Sequence, residues 1–203
     1  MKFFTYIVAR DYGFAPNPYY NYCTLATCKP DIRKAAKLGD WILGTGAAKT
    51  NTAGKLVFIM EVTEKLTFDE YWNDVRFQCK KPRMNGSIKE MYGDNIYHKS
   101  AIGGWVQENS HHTHGDGSTN LKNLNKDTKA DSVLISNNFY YFGGSCIDIP
   151  NAIKNQVCMS TQGFKYADDV SAKLLIKNVQ SVFAQNYHRK PMKITNGFER
   201  FAG

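Results

Sequence analysis

Short apolar runs separated by turn residues indicate that much of the chain forms buried β-strands. The runs Phe3 to Ala9, Leu56 to Val62, Ser132 to Ser136 and Phe139 to Phe142 are short and rich in β-branched and aromatic residues, which is typical of strands. Asn137-Asn138 separates the last two runs. Because asparagine tolerates positive φ, this pair predicts a tight hairpin.

Helical signals lie between these runs and after them. Pro30 predicts the first turn of a helix, and Gly39-Asp40-Trp41 then turns the chain sharply into another strand. Thr67 and Glu70 form a capping box at the start of a second helix. From Asp168 to Gln185 apolar residues recur at helical spacing, which predicts a longer helix that packs on a core.

Strands interspersed with helices predict an α+β fold. We expect a single domain with a curved, mostly antiparallel β-sheet or barrel flanked by helices. Residues 1–150 would form the core, and residues 151–203 a C-terminal helical extension packed on it. The length of 203 residues and the hydrophobic content of 42% suit one domain with a buried core.

The stretch from Tyr92 to Ser118 differs from the rest of the chain. It contains four of the five histidines and is rich in glycine and asparagine, which form poor helices and strands. We interpret it as one or two long loops around a short strand near Gly104–Gln107. Long loops in compact domains are often functional, so this stretch is predicted to form the rim or floor of an active or binding site. An ordered structural loop is the alternative.

The histidines of this stretch predict acid–base chemistry, because imidazole exchanges protons near neutral pH. The candidate catalytic residues are His98, His111, His112 and Asp94, and we expect them to converge on one pocket near Trp41. Solvent-exposed histidines on a disordered loop are the competing interpretation.

A metal site is a second possibility for the same stretch. His112, His114 and Asp116 offer two imidazoles and a carboxylate, which suffice for an iron or zinc site with open positions. This spacing is short and common by chance, so the need for a metal stays open. The sequence identifies no cofactor, because Walker, dinucleotide, hydrolase, metalloprotease and zinc deaminase motifs are all absent from it.

The chain is basic, with a net charge of +8 and a pI of about 9.2. Such a charge favours phosphate-bearing partners, namely DNA, RNA or nucleotides, although charge that serves only solubility explains it equally well. Six basic residues lie between Arg76 and Lys99. Among them, Lys80, Lys81 and Arg83 are predicted to contact the phosphates of a nucleotide or of DNA.

Aromatic and amide side chains supply candidates for binding a base. Tyr12, Trp41, Tyr97 or Trp105 could form an aromatic cage, since every base has a face that stacks on such rings. Asn95 could orient a base or a ribose through hydrogen bonds.

The cysteines and the N-terminus indicate a cellular compartment. The five cysteines contain no CxxC pair, the N-terminus does not have the pattern of a signal peptide, and no apolar stretch approaches the length of a membrane span. We therefore expect a cytoplasmic protein without membrane contact, whose cysteines act mostly as small core residues. Cys23 and Cys28 have a zinc-like separation, but no second pair follows them, so a zinc ribbon is not expected.

Several blocks of the chain, taken in order from about Lys2 to Pro150, resemble the nucleotide modification associated domain 2 family. The blocks are YIVARDYGFAPNP, CTLATCKPDIRKAAKLGDWILGTG, MEVTEKLTFDEYW, YGDNIYH, SHHTHGDG and VLISNNFYYFGG. The family is associated with systems that hypermodify bases in phage and bacterial DNA, so the resemblance implies a nucleotide or nucleic-acid context. It adds Arg10 and Asp11 to the candidate ligand-binding residues, but no catalytic residue can be carried over. The helix–GDW–strand element is also similar to PUA- and EVE-like domains, which are small barrels that hold a base.

Three functions are consistent with these observations. The first is an enzyme that modifies a nucleotide or a nucleic-acid base, in DNA hypermodification or in conflict between phage and bacteria. The second is a binding module that recognises a modified base without chemistry, and the third is a protein that sequesters a free nucleotide. A convergent polar site favours the enzyme, whereas an aromatic cage with dispersed histidines favours the binding module. The sequence leaves the protein partners unknown.

Overall fold

Three β-sheets organise the described part of the chain. The computed structural model describes residues 1–194 and 197–201. The strands, in chain order, are β1 (Phe3–Val8), β2 (Cys23–Leu25), β3 (Trp41–Gly46), β4 (Lys55–Glu61), β5 (Glu64–Leu66), β6 (Tyr97–Lys99), β7 (Trp105–Gln107), β8 (Val133–Ser136), β9 (Phe139–Tyr141), β10 (Ile147–Asp148), β11 (Phe164–Tyr166) and β12 (Tyr187–His188).

Short helices connect these strands. They are α1 (Pro30–Ala35), α2 (Phe68–Asn73), α3 (Ile88–Met91), α4 (Leu121–Asp127), α5 (Asn151–Val157) and α6 (Asp169–Val182), with 3₁₀ turns at Ala48–Thr50, Val75–Lys80 and Gly143–Ser145. The predicted capping box is confirmed: the Thr67 hydroxyl accepts from the backbone N–H of Glu70, and the Glu70 carboxylate accepts from that of Thr67. None of the described helices has the length and the apolar character needed to cross a bilayer.

The largest sheet has seven strands in the order β11-β1-β3-β4-β9-β12, with β10 paired to β4. The pairs β1–β3 and β9–β12 are parallel, and the other pairs are antiparallel. The prediction of a mixed fold with a mostly antiparallel sheet is therefore confirmed. The barrel is not: the described strands run from one edge at β11 to another at β12 without closing.

The second sheet has three strands in the order β2-β8-β5, and β6 pairs with β7 in a separate hairpin. The hairpin predicted around Asn137-Asn138 is wrong, because β8 belongs to the second sheet and β9 to the largest. The chain leaves one sheet for the other at this corner. The backbone N–H of Glu61 donates to the Asn138 carbonyl, and that of Asn137 donates to the hydroxyl of Thr63.

Side-chain alternation along the central strands builds two apolar layers. Phe3 and Trp41 point to the side that packs against α5 and α6, whereas their neighbours Phe4 and Ile42 point to the side covered by the second sheet. A third cluster, under the loops that follow β1 and α3, includes Tyr12, Phe14, Phe68, Tyr71, Tyr92 and Tyr97.

The residues after 150 contribute more than helices. Helices α5 and α6 pack against the largest sheet through Ile153, Leu175 and Val179. The same region also supplies β11, antiparallel to β1, and β12, parallel to β9. The C-terminal region thus completes both edges of the largest sheet.

Candidate functional site

A cysteine, a histidine and an aspartate meet where α1 begins. Sγ of Cys28 lies 3.7 Å from Nε2 of His112, and Nδ1 of His112 lies 3.0 Å from Oδ2 of Asp127. The three side chains form one line of contacts, which we call the thiol centre. Within residues 1–194 and 197–201, this is the group of histidine, cysteine and acidic residues whose donor atoms gather within 4.8 Å of one another.

The backbone at Cys28 adopts an unusual conformation. Cys28 has a φ of 57° and Lys29 a φ of 42°, left-handed values that are costly for residues with a side chain. Oδ1 of Asp127 accepts a 2.8 Å hydrogen bond from the backbone N–H of Cys28, and Nε of Arg33 donates to the Cys28 carbonyl at 2.8 Å. These bonds hold a turn that presents a half-buried thiol just before α1.

A fully buried arginine fixes the other side of the thiol centre. The guanidinium of Arg33 donates to the carbonyls of Asp127, Ala130 and Ser132. These bonds tie α1 to Asp127, the last residue of α4, and to the segment that follows α4. The positive charge of Arg33 also favours the ionised carboxylate of Asp127.

His112 is held from its backbone side as well as through its ring. Its carbonyl accepts hydrogen bonds from the side-chain amides of Gln107 at 3.2 Å and Asn123 at 2.9 Å. The ring is 2% exposed. The imidazole therefore sits in one orientation, with Nδ1 toward Asp127 and Nε2 toward Cys28.

The protonation states follow from these contacts. Burial disfavours the charged ring of His112, but the charge of Cys28 and the hydrogen bond to Asp127 outweigh burial and raise the pKa of His112 to about 9. Burial acts against the Asp127 carboxylate, but the hydrogen bond and charge of His112 outweigh it and lower the pKa of Asp127. At neutral pH the pair is therefore imidazolium and carboxylate. Cysteines that act as nucleophiles often lie beside a cationic side chain, and Sγ of Cys28 lies 3.7 Å from Nε2 of this ring.

This arrangement has the parts of an activated nucleophile. A thiol lies within reach of a histidine, and a carboxylate orients that histidine through its other nitrogen. The hydroxyl of Tyr97 donates to the same oxygen of Asp127 at 3.0 Å and so fixes the carboxylate in turn.

The same residues make an incomplete metal site. A metal ion between Sγ of Cys28 and Nε2 of His112 would have two protein ligands, because Asp127 already bonds the other ring nitrogen. Catalytic zinc sites normally use three protein ligands. The geometry therefore fits a nucleophile with its proton partner better than a bound metal.

Two buried hydroxyls near the thiol centre have no hydrogen-bond partner among the described residues. They belong to Tyr6 and Thr27. Thr27 precedes Cys28, and Nζ of Lys29 lies 4.5 Å from the centre of the Tyr6 ring. After burial, the charge of Cys28 is the largest influence that raises the pKa of Tyr6. Buried hydroxyls normally find partners, so these two stand out as unsatisfied polar atoms.

His111 neighbours the thiol centre without joining it. Its ring centre is 5.6 Å from that of His112, and it packs between Tyr12 and Phe14. Nδ1 of His111 donates to the carbonyl of Glu199 at 2.5 Å. Burial lowers the pKa of His111 to about 4, so its ring is neutral at pH 7.

The comparisons with known proteins identify a family. The model of the nucleotide modification associated domain 2 family matches residues 1–198. The chain belongs to this family. The match extends the earlier resemblance, which ended at Pro150, across α5, α6 and the last two strands of the largest sheet. No match was found among curated proteins or among solved structures.

In this family member, the predicted catalytic residue Asp94 lies outside the thiol centre. Asp94 is 1% exposed and accepts hydrogen bonds from the hydroxyls of Thr24 at 2.6 Å and Tyr71 at 2.9 Å. Burial raises the pKa of Asp94 to about 6. Its contacts connect it to Lys80 rather than to the histidines.

Lys80 is not part of an exposed phosphate-binding surface, in contrast to the prediction. It is fully buried, and its ammonium donates to the backbone carbonyls of Asn17 and Tyr22, to Oδ1 of Asn17 and to the hydroxyl of Thr24. Burial lowers the pKa of Lys80 to about 8. We call Lys80, Asp94, Thr24, Tyr71 and Asn17 the lysine cluster.

The neighbouring basic residues are more accessible. Lys81 is half-buried with its ammonium 3.4 Å from the centre of the Trp72 ring, and Arg83 is exposed beside Glu90. Phosphate contact by Lys81 and Arg83 stays a prediction.

His98 does not share the surroundings of His111 and His112. Its ring stacks on Trp72 with 4.1 Å between ring centres, and Nε2 lies 3.0 Å from the Glu108 carboxylate. The reason is the alternation of side chains along β6, because Tyr97 points inward to Asp127 and His98 therefore points to the opposite face.

The predicted metal arm and the predicted tryptophan also lie elsewhere. His114 and Asp116 are exposed, and Asp116 accepts hydrogen bonds from Ser118. Trp41 packs with Phe3 and Leu43 on the helix side of the largest sheet, away from the cluster that contains Tyr12 and Phe14.

The remaining predicted ligand-binding residues divide into anchors and surface groups. Asp11 is buried and accepts from the hydroxyl of Tyr141 and from the backbone N–H of Met192. The amide of Asn95 donates to the carbonyls of Tyr71 and Phe77. Trp105 is half-buried against Phe68, whereas Arg10 is exposed and lies over the ring of Phe201.

Sequence reasoning missed Cys28 and Asp127. Cys28 resembled a small core residue, and Asp127 lay in a polar, turn-rich stretch. The one available signal was a cysteine directly before Lys29-Pro30, the start of a predicted helix. Cys28 and Asp127 are 99 positions apart in the sequence, so no short spacing pattern could predict their contact.

Proposed function

We propose that the protein modifies a nucleotide or a nucleic-acid base, with Cys28 as nucleophile, His112 as its proton partner and Asp127 as the residue that orients His112. The observation that carries this proposal is the line of contacts from Sγ through the imidazole to the carboxylate. The family description supports the nucleotide context.

The proposed step is the addition of the Cys28 thiolate to an electrophilic, double-bonded carbon of the substrate. A bond forms from sulfur to that carbon, and the displaced electron pair moves to the heteroatom at the other end of the double bond. Nε2–H of His112 protonates that heteroatom. Asp127 stabilises the imidazolium before this transfer and keeps the neutral ring in the correct tautomer after it.

Buried polar groups around the thiol centre support a polar substrate. The unpaired hydroxyls of Tyr6 and Thr27 would donate to, or accept from, the edge of a base. His111 would contact the substrate through the face of its ring, whose centre lies 5.6 Å from that of His112.

DNA is the polymer we propose as substrate source, and a role in DNA hypermodification or in phage–bacteria conflict is the proposed biological setting. The basic charge of the chain supports an anionic partner. Lys81 and Arg83 would contact phosphates of the bound DNA.

The test is a search for a covalent adduct on Cys28. Purified protein is incubated with DNA and, separately, with deoxynucleotides, and the protein is then analysed by intact and peptide mass spectrometry. We expect an adduct with the wild type, none with Cys28→Ser, and adduct formation slower by on the order of a thousandfold with His112→Gln. Cys158→Ser is the matched control, because Cys158 is also half-buried but lies after α5.

An adduct formed by Cys28→Ser as fast as by the wild type would contradict the proposal.

A second candidate function is a binding module for a modified base or a free nucleotide, which the aromatic surroundings of His111 favour. It predicts saturable nucleotide binding by wild type and Cys28→Ser alike, with no adduct from either.

A further inference from the structure

The last described residues of the chain lie across the histidines. We call residues 198–201 the strap. The backbone N–H of Phe201 donates to the carbonyl of His111 at 2.7 Å, and the Phe201 carbonyl accepts from the amide of Asn123 at 2.7 Å. The guanidinium of Arg200 donates to the carbonyl of Ser110 at 2.8 Å. The strap is therefore fixed to the same loop that carries His111 and His112.

The ring of Phe201 contacts a cation and two imidazoles. The guanidinium carbon of Arg10 is 4.4 Å from the ring centre. The ring centres of His111 and His112 are 6.3 Å and 5.7 Å away, and the planes of Phe201 and His111 differ by 22°. Such a slot accepts any planar aromatic ring, because both cation–π contact and stacking depend on the face of the ring.

An acidic group accompanies this ring two residues earlier. The hydroxyl of Tyr12 donates to the Glu199 carboxylate at 2.5 Å, and the backbone N–H of Glu199 donates to the hydroxyl of Tyr92 at 3.0 Å. The strap thus presents one carboxylate and one aromatic ring to the site. A nucleotide presents the same two chemistries, an anionic phosphate and a planar base.

We infer that the strap occupies a nucleotide subsite, in which Phe201 takes the place of the base and Glu199 the place of the phosphate. This inference rests on the proposed function, since it names the substrate class and the regulation of the same site. When the strap leaves, Arg10 and His111 stack on the base, and Tyr12 and Asn123 become free to donate hydrogen bonds. The strap and the nucleotide therefore compete.

The inference is tested with Phe201→Ala in the full chain. Binding of each of the four deoxynucleoside 5′-monophosphates is measured by calorimetry. If the strap is closed in about nine molecules of ten, opening the slot should tighten binding of at least one of them by roughly tenfold, because the apparent affinity scales with the fraction of competent molecules. Glu199→Gln, which keeps the ring, should tighten binding less.

Two controls locate the effect. Tyr166→Ala removes an exposed aromatic ring from β11 and should leave nucleotide binding at the wild-type level. Arg10→Ala combined with Phe201→Ala should abolish the gain, because the cation that faces the base is then missing. Thermal melts of all variants check that the fold is kept.

Equal or weaker binding by a folded Phe201→Ala protein would overturn the inference, since Phe201 would then be a structural residue or part of the binding surface. The outcome is independent of catalysis. If Phe201→Ala binds a nucleotide more tightly but Cys28→Ser forms the adduct as fast as the wild type, the nucleophile is refuted and the subsite is kept. If Cys28→Ser forms no adduct and Phe201→Ala shows no gain in affinity, the nucleophile is kept and the subsite is refuted.

Discussion

The lysine cluster and the thiol centre are both buried and polar, but their side chains differ in how fully their hydrogen-bonding groups are paired. In the lysine cluster, the ammonium of Lys80 has four acceptors within 3.1 Å, and both oxygens of Asp94 accept hydroxyl donors. In the thiol centre, Cys28 is half-buried, and among the described residues its sulfur makes a single hydrogen-bond contact, with Nε2 of His112 at 3.7 Å. Buried polar groups whose hydrogen bonds are all made stabilise a fold. A reactive group instead needs an atom that is free to bond a substrate and that the substrate can reach.

The two clusters also differ in the charge of their members. Burial moves the pKa of Lys80 down to about 8 and that of Asp94 up to about 6, so both shifts favour the neutral forms. In the thiol centre the pKa of His112 rises to about 9 and that of Asp127 falls, so both shifts favour the charged forms. Shifted pKa values alone do not identify a catalytic site. The direction of the shifts and the access to the group separate the two clusters.

The largest loss of stability is expected for Lys80→Ala. The variant removes four hydrogen bonds and leaves Asp94 buried without its nearby positive charge, which should lower the free energy of unfolding by about 3–5 kcal/mol. Urea denaturation measures this change. Lys81→Ala is the neighbouring control and should cost about 1 kcal/mol or less, since it loses a cation–π contact with Trp72. A loss below about 1 kcal/mol for Lys80→Ala would show that the lysine cluster is not structural.

The pH dependence of stability should distinguish His112 from its neighbour. The folded pKa of His112 is about 9, above its ordinary value near 6.5, so its contribution is complete below pH 6.5 and is lost as pH rises to 9. The difference in unfolding free energy between wild type and His112→Gln should therefore shrink by about 3 kcal/mol over this window. Denaturation at a series of pH values measures it.

His111 provides the control of opposite sign. Its folded pKa of about 4 lies below its ordinary value, so its contribution is complete above pH 6.5 and is lost as pH falls toward 4. The difference in unfolding free energy between wild type and His111→Gln should therefore shrink as the pH falls. Identical profiles for the two variants would contradict the assignment of a charged His112 and a neutral His111.

Local patterns predicted the elements of the fold well where one segment determines them. The capping box at Thr67, the strand near Gly104–Gln107 and the helix after Pro30 follow from residues close in sequence. The hairpin at Asn137-Asn138 failed because the two runs have partners far along the chain. A two-residue turn signal cannot reveal that β8 pairs with β2 and β5, while β9 pairs with β4.

The candidate site shows the same limit. The density of histidines pointed to the loop that carries His111 and His112, which are buried side by side. The alternation along β6 sends His98 outward, and that along β3 sends Trp41 to the helix side. Cys28 and Asp127 enter the site only through the pairing of α1 with the segment after α4, which Arg33 fixes through backbone carbonyls. Contacts of this kind leave no periodic signal in a single sequence.

The smallest effect on stability, and the clearest on reactivity, is expected at Cys28. Cys28→Ala removes one half-buried sulfur and should change the free energy of unfolding by about 1 kcal/mol or less.

The thiol of Cys28 should react with iodoacetamide before those of Cys23 and Cys158 do. Burial raises the pKa of both of those thiols, whereas Cys28 lies beside an imidazolium. Timed alkylation followed by peptide mass spectrometry ranks the three cysteines. His112→Gln should slow alkylation of Cys28 and leave that of Cys158 unchanged, because only Cys28 contacts the imidazole among these cysteines. If Cys28 reacts no faster than Cys158, or if His112→Gln leaves its rate unchanged, the contact between sulfur and imidazole does not activate the thiol, and the thiol centre is then as structural as the lysine cluster.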